Sequence, residues 1–295
     1  MAAREAADDR ERAGTHVLRM ATNPIQRQIL RTMVTRGVRV ELDDAVYQVS
    51  PQGREVLFVS FVAERWLQSA PQGPLDFDGP QAEAAVLALA EGWNTTLIHA
   101  LAHEPLTRKQ LNDRLKGVRR GQVKRLLAAM RSSGLVEGRP SSEPGNEDGV
   151  LYAVTDWLRA GLAPLAAAAR VERRQGIKGA APIDALDVEA AFYLSLPILE
   201  LPRELTGVCR LGVNLDDEGK TALTGVTAEI DQGRVLTCHP GLEGPADAWA
   251  NAPALDWLDT VIEPDAKRVR TGGDKWLPAA LLRSLHETLF GVPVR

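Results

Sequence analysis

Between Thr107 and Pro140 the chain carries ten basic side chains, Arg108, Lys109, Arg114, Lys116, Arg119, Arg120, Lys124, Arg125, Arg131 and Arg139, against two acidic ones, Asp113 and Glu137. The local charge is +8, in a protein whose net charge is −4. Such a segment suits the neutralisation of a polyanion, because each phosphate paired with Lys or Arg releases a condensed counterion. Spacing narrows this further. Val123, Leu126, Leu127 and Met130 recur at positions 0, 3, 4 and 7, which is a helix with one apolar stripe facing a core. Rotation of about 100° per residue then places Gly121, Lys124, Arg125 and Ala128 on the opposite face. Gly121 and Ala128 are small enough to let that face sink toward base edges, Arg125 can donate both its forks to guanine O6 and N7, and Lys124 can reach a phosphate or a base. Arg119, Arg120 and Gln122 open the helix, where base contacts of a recognition helix concentrate. Arg108, Lys109 and Arg131 are placed to clamp the backbone, and Arg139 to touch it from a hairpin.

The elements that must hold these groups are legible on both sides. Residues 82–102 read as one helix with Val86, Leu89, Trp93, Leu97, Ile98 and Leu101 on its buried stripe. Thr107 follows Pro105 as an N-cap, and a helix with Leu111 and Leu115 four apart ends at Gly117. The basic helix follows at once and closes at Gly134. Two apolar segments around LVE and VLYAVT flank the polar stretch 138–149 as strands of a hairpin, and a long helix runs from Asp156 to about Arg174. Helices around a tight turn, then a hairpin, then a helix give the order of a winged helix-turn-helix over residues 80–174. The hairpin tip carries Glu143, Glu147 and Asp148, which repel phosphate, so the wing is expected to add little.

Residues 1–72 read as a truncated copy of the same unit. Val17 and Leu18 match Val86 and Leu87, and YQVSPQGREVLFV from Tyr47 matches YAVTDWLRAGLAPL from Tyr152. Val17 to Tyr47 spans 30 positions and Val86 to Tyr152 spans 66, so about 36 residues, the length of the two helices of a helix-turn-helix, are missing from the first copy. A short hairpin, VRVELDDAVYQV, remains.

Residues 86–172 resemble the HxlR family of winged-helix regulators through WNTTLIHAL at 93–101, LTRKQL at 106–111, RLLAAMRSSGLVE at 125–137 and YAVTDWLRAGLAPL at 152–165. The resemblance implies binding to double-stranded DNA as a homodimer built on the first and last helices. The truncated first copy is a candidate to cover those helices in place of a partner subunit. Because only one unit keeps the basic helix, a long site calls for two chains.

Beyond residue 186 the pattern changes to alternation. VCRLGVNL, TALTGVTAEI and RVLTCHPG read as antiparallel strands, ADAWANAPALDWLDTVIE as helical, KRVRTG as a short strand and KWLPAALLRSLHETLF as a closing helix. The order of elements and GDKWLPAALL at 273–282 resemble the sterol carrier protein type two fold, which implies that residues 186–295 sense a small apolar effector. Trp249, Trp257 and Trp276 are the candidate lining residues, with core packing as the alternative role. Cys209 and Cys238 fall on strands in phase with Leu211 and Leu236, and a redox switch would need the two close together.

The fold class expected is α+β: mostly helical winged units followed by a small α+β domain with an antiparallel sheet. His99 and His103 are four apart at a helix end, with no third ligand nearby and no nucleophile, phosphate-loop or dinucleotide pattern in the chain, so no metal, cofactor or catalytic residue is assigned and no enzyme is expected. The longest weakly charged stretch, around 181–201, is interrupted by Pro182, Asp184, Asp187, Glu189, Pro197 and Glu200 and cannot span a bilayer. The N-terminus is charged rather than signal-like, which suggests a cytoplasmic protein without membrane partners. The function expected is an effector-controlled transcriptional regulator. The alternative is a lipid carrier or enzyme that uses the winged unit for dimerisation.

Overall fold

The computed structural model describes residues 13–23, 40–42, 45–47, 50–90, 92–115, 118–141, 149–178, 180–217, 220–264 and 268–291. It is an α+β protein in which helices predominate. The N-terminal segment comprises α1 (Thr15–Thr22), the hairpin β1 (Val40–Leu42) and β2 (Ala45–Tyr47), and α2 (Pro51–Gln68). The middle segment runs α3 (Pro80–Ala90), α4 (Gly92–His103), β3 (Leu106–Thr107), α5 (Arg108–Arg114), α6 (Arg120–Ser132), β4 (Val136–Pro140), β5 (Val150–Val154), α7 (Asp156–Ala160) and α8 (Leu162–Gln175). The C-terminal segment is α9 (Ala185–Ser195), β6 (Gly207–Asp217), β7 (Lys220–Asp231), β8 (Arg234–Pro240), β9 (Ala248–Pro253), α10 (Ala254–Ile262), β10 (Arg270–Gly273) and α11 (Trp276–Leu289).

Several expectations are corrected here. The helix read over 82–102 is two, α3 and α4, with Gly92 at the junction, a residue that lowers helix stability by about 1 kcal/mol relative to Ala. The long helix from Asp156 is likewise interrupted at Gly161. Pro164 has no N–H to give the carbonyl of Ala160, so α7 ends there and α8 starts afresh. The C-terminal sheet, ordered β10-β9-β6-β7-β8, is mixed rather than antiparallel, because β9 runs parallel to β6. Trp249 lies on that strand and not on a helix: Ala248, Ala250 and Ala252 alternate inward, leaving Trp249 on the outer face. Residues 24–39, between the matched blocks of the first copy, lie outside the described residues, as do Lys116 and the acidic residues Glu143, Glu147 and Asp148.

One continuous apolar core links the three segments. At its centre is α8, buried on most sides, with Ala163, Leu165, Ala167, Ala168, Ala169 and Val171 inward. Such a helix needs cover all round. On one side α1 and α2 supply it, on another α10. Trp66 of α2 and Trp157 of α7 stack with ring centroids 4.8 Å apart, and each indole N–H donates to the other's backbone carbonyl at 2.8 Å. The Glu172 carboxylate, buried at the far end, accepts from the amides of Gly14 (2.6 Å) and Val17 (3.0 Å), capping α1 where the helix dipole favours negative charge. Gly14 is required at this crossing. Its φ is 93°, and a Cβ there would lie 2.6 Å from the Leu165 carbonyl.

A charged cluster absent from the sequence reading joins the same elements. Asp259 of α10 is fully buried and meets Arg174 (2.6 Å), Arg170 (3.4 Å) and Arg268; Arg170 also pairs with Glu263, and Arg174 with Glu55 of α2 (2.9 Å). Arg65 of α2 donates to the carbonyls of Leu289, Phe290 and Gly291, closing the end of α11. Among the described residues no helix is long and apolar enough to cross a membrane.

Candidate nucleic-acid interface

The basic helix α6 is anchored on one side only. Val123 and Met130 are fully buried and Leu127 nearly so, while Leu126, expected on the same stripe, is half-buried. On the other side Arg119, Arg120, Gly121, Lys124, Arg125, Ala128, Ala129 and Arg131 are exposed, and Gln122 is half-buried. Nothing lies within 4 Å of where a Gly121 Cβ would be. No side chain caps the N-terminus, so the first-turn amides add their partial positive charge to Arg119 and Arg120. Along this face the small residues Gly121, Ala128 and Ala129 alternate with the cations Arg119, Arg120, Lys124, Arg125 and Arg131.

Three local devices fix this helix. Upstream, Thr107 and Gln110 form a reciprocal capping box (Oγ1 accepting at 3.2 Å, Oε1 at 2.7 Å) that starts α5, and Leu111 and Leu115 bury its inner side. Downstream, Gly134 takes φ 78°, with its amide on the Arg131 carbonyl and the Leu135 amide on that of Met130, the six-to-one closure of a Schellman end. Thr155, which caps α7, donates its hydroxyl to the Gly134 carbonyl at 2.8 Å and so ties the end of α6 to α7.

The hairpin expected as a wing, β4 and β5, belongs to a sheet of three strands. β3 pairs with β5 through Leu106 and Thr107, two residues too short to read as a strand. Arg131 sits with its guanidinium 6.0 Å above the Tyr152 ring, so the strand partly holds this expected clamp. Arg139 pairs with Glu137 and Arg114 with Glu104, which reduces the charge each can offer. Arg108 is half-buried and Lys109 exposed.

Of the three tryptophans expected to line an effector pocket, the structure brings one to a cavity. Trp257 is 6% exposed, donates its indole N–H to the Gly212 carbonyl (2.7 Å), meets Phe192 edge-on, and lines an apolar cavity of about 160 Å³. Trp276 is 77% exposed and Trp249 43%; neither borders the cavity, since the first opens α11 at the surface and the second lies on the uncovered sheet face over Gly272. The remaining walls come from α8, α9 and α11, distant in sequence, which no local pattern announces.

Cys209 and Cys238 both pair with Ala228, from opposite sides. Two strand spacings put their Cα atoms about 9–10 Å apart, beyond the roughly 7 Å that a disulfide spans. Burial pushes each thiol up to about 12. A redox switch between them is therefore not built. His103 lies edge-on to the Tyr193 ring of α9 but stays exposed, His99 is 3.5 Å from Asp187, and no group of three metal-ligating side chains occurs among the described residues.

No protein-family model matches the chain, and neither the curated proteins nor the solved structures contain a match.

Proposed function

We propose that this protein is a DNA-binding transcriptional regulator that lays α6 in a major groove, with α5 crossing the backbone beside it as in winged helix-turn-helix proteins. The observation that carries the reading is the one-sided anchoring of α6: an apolar face fixed in the core, and an outward face with Arg119, Arg120, Lys124 and Arg125 and no acidic side chain. Arg125 reads a base, Lys124 a base or phosphate, and Arg108 and Lys109 hold the backbone. The wing contributes little, because Arg139 is paired. Control by a small apolar effector completes the proposal. A homodimer on a long site belongs to it as well, but two chains would meet through surfaces other than α8, whose flanks this chain covers with α1, α2 and α10.

The test is a titration of DNA fragments from around the protein's own gene at two salt concentrations. Binding should prefer particular fragments and weaken steeply with salt, by a logarithmic slope of about −0.9 per phosphate contacted. Absence of salt-dependent binding would favour the carrier or enzyme reading.

A further inference from the structure

The 160 Å³ cavity lies on a seam between segments rather than inside the C-terminal one. Leu165 and Ala169 of α8, Ala191 of α9, Trp257 and Val261 of α10, and Leu285 of α11 form its walls. Polar groups at its edge are already engaged. Ser195 donates its hydroxyl to the Ala191 carbonyl (2.7 Å), Trp257 gives its N–H to Gly212, and the Asp187 carboxylate faces His99 and the Asp184 amide. A ligand here is offered surface and no hydrogen bonds. Size limits it too: an apolar space of about 150 Å³ admits benzene, whereas drug-sized ligands occupy roughly 300–1,000 Å³. Asp187 repels anions, and a cation would enter an apolar cavity at a high desolvation cost.

The walls also connect to the basic helix. α8 follows α7 through Gly161, and the Thr155 cap of α7 holds the Gly134 carbonyl at the end of α6. Arg159 of α7 donates to the Tyr193 (2.8 Å) and Leu194 (3.1 Å) carbonyls of α9, so two walls of the cavity are tied to the helix that reaches α6.

We propose that this cavity is an effector site for one uncharged, single-ring apolar molecule, and that occupancy is transmitted through α7 to α6. The site stands on the cavity alone, whereas the transmission rests on the DNA-binding reading. A ligand shifts DNA affinity only as far as it prefers one placement of α7 over another.

The test uses fluorobenzene as a fluorine NMR probe on the full chain. Saturable binding at one site per chain is expected, displaced by toluene, and about tenfold weaker for 4-fluorobenzoate. Ala191→Phe, which fills the cavity, should abolish it, with Ala166→Leu carrying the same test if the first variant loses its helical circular dichroism. Trp249→Ala and Trp276→Ala should leave it unchanged. Uptake that does not saturate, or that survives filling in a folded variant, overturns the site. Saturating toluene should change DNA affinity by about fivefold or more. An unchanged affinity overturns the transmission. If the native chain binds no DNA at all, the DNA-binding reading and the transmission fail, while the probe titration still decides the site.

Discussion

The N-terminal and middle segments each run from a helix through a hairpin to a long helix, yet they use their charged side chains in opposite ways. In the N-terminal segment two charges of α2 are spent on internal contacts: Glu55 pairs with Arg174, and Arg65 closes the end of α11. In the middle segment α6 turns its cations outward over an anchored apolar face. The first segment therefore works as internal cover. It occupies the flanks of α8, where the family resemblance places a partner subunit. The second keeps an exposed basic face, the surface proposed to read DNA, and it is the one helix of this kind among the described residues.

Substitutions in the two regions should separate along the same line. The largest effect is expected at the contact between them. Trp66→Ala removes the ring stacked on Trp157 and takes the indole donor away from the Trp157 carbonyl, at a cost of about 3–5 kcal/mol in urea unfolding. A loss under about 1 kcal/mol would mean that α2 does not cover α8. Glu172→Ala should cost about 1–3 kcal/mol by leaving the Gly14 and Val17 amides without their acceptor. The same unfolding curve checks it, and the folded variant should bind DNA as the native chain does.

In the middle segment the loss should be of binding and not of stability. Arg125→Ala should weaken specific DNA binding by about 1–3 kcal/mol while stability stays within about 0.5 kcal/mol. Arg54→Ala, an equally exposed cation on α2, should change neither, and a matching loss there would erase the distinction between the two segments. The smallest effect is expected for Lys109→Ala, which should weaken binding evenly across sequences and lower the salt slope by about 1.

How much of this was legible follows the range of the interactions. Thr107 and Gly134 announce helix ends through contacts within a few residues, and the strands β4 and β5 are short runs on either side of a turn-rich stretch. All of these stand where the sequence puts them. Interruptions inside periodic runs were missed: Gly92 and Pro164 each sit in a pattern that stays helical on both sides, and the apolar period hides the break. Trp249 was read as helical because ADAWANAP is rich in Ala, although its inward Ala positions alternate as a strand. The parallel pairing of β6 with β9, the Asp259 cluster and the cavity depend on residues tens of positions apart, which no window of sequence samples. The basic face of α6 was legible because one helix supplies both its burial and its charge. The cavity was not, because α8, α9, β6, α10 and α11 all contribute to its lining.

The central claim is that α6 alone reads DNA, one helix per chain. Hydroxyl-radical footprinting on a bound fragment, comparing the native chain with Arg125→Ala at equal occupancy of nonspecific DNA, tests it most directly. The native chain should protect one groove-width segment per chain bound, and the variant should lose that sequence-specific protection. Protection unchanged by the substitution, or absent from the native chain, would contradict it.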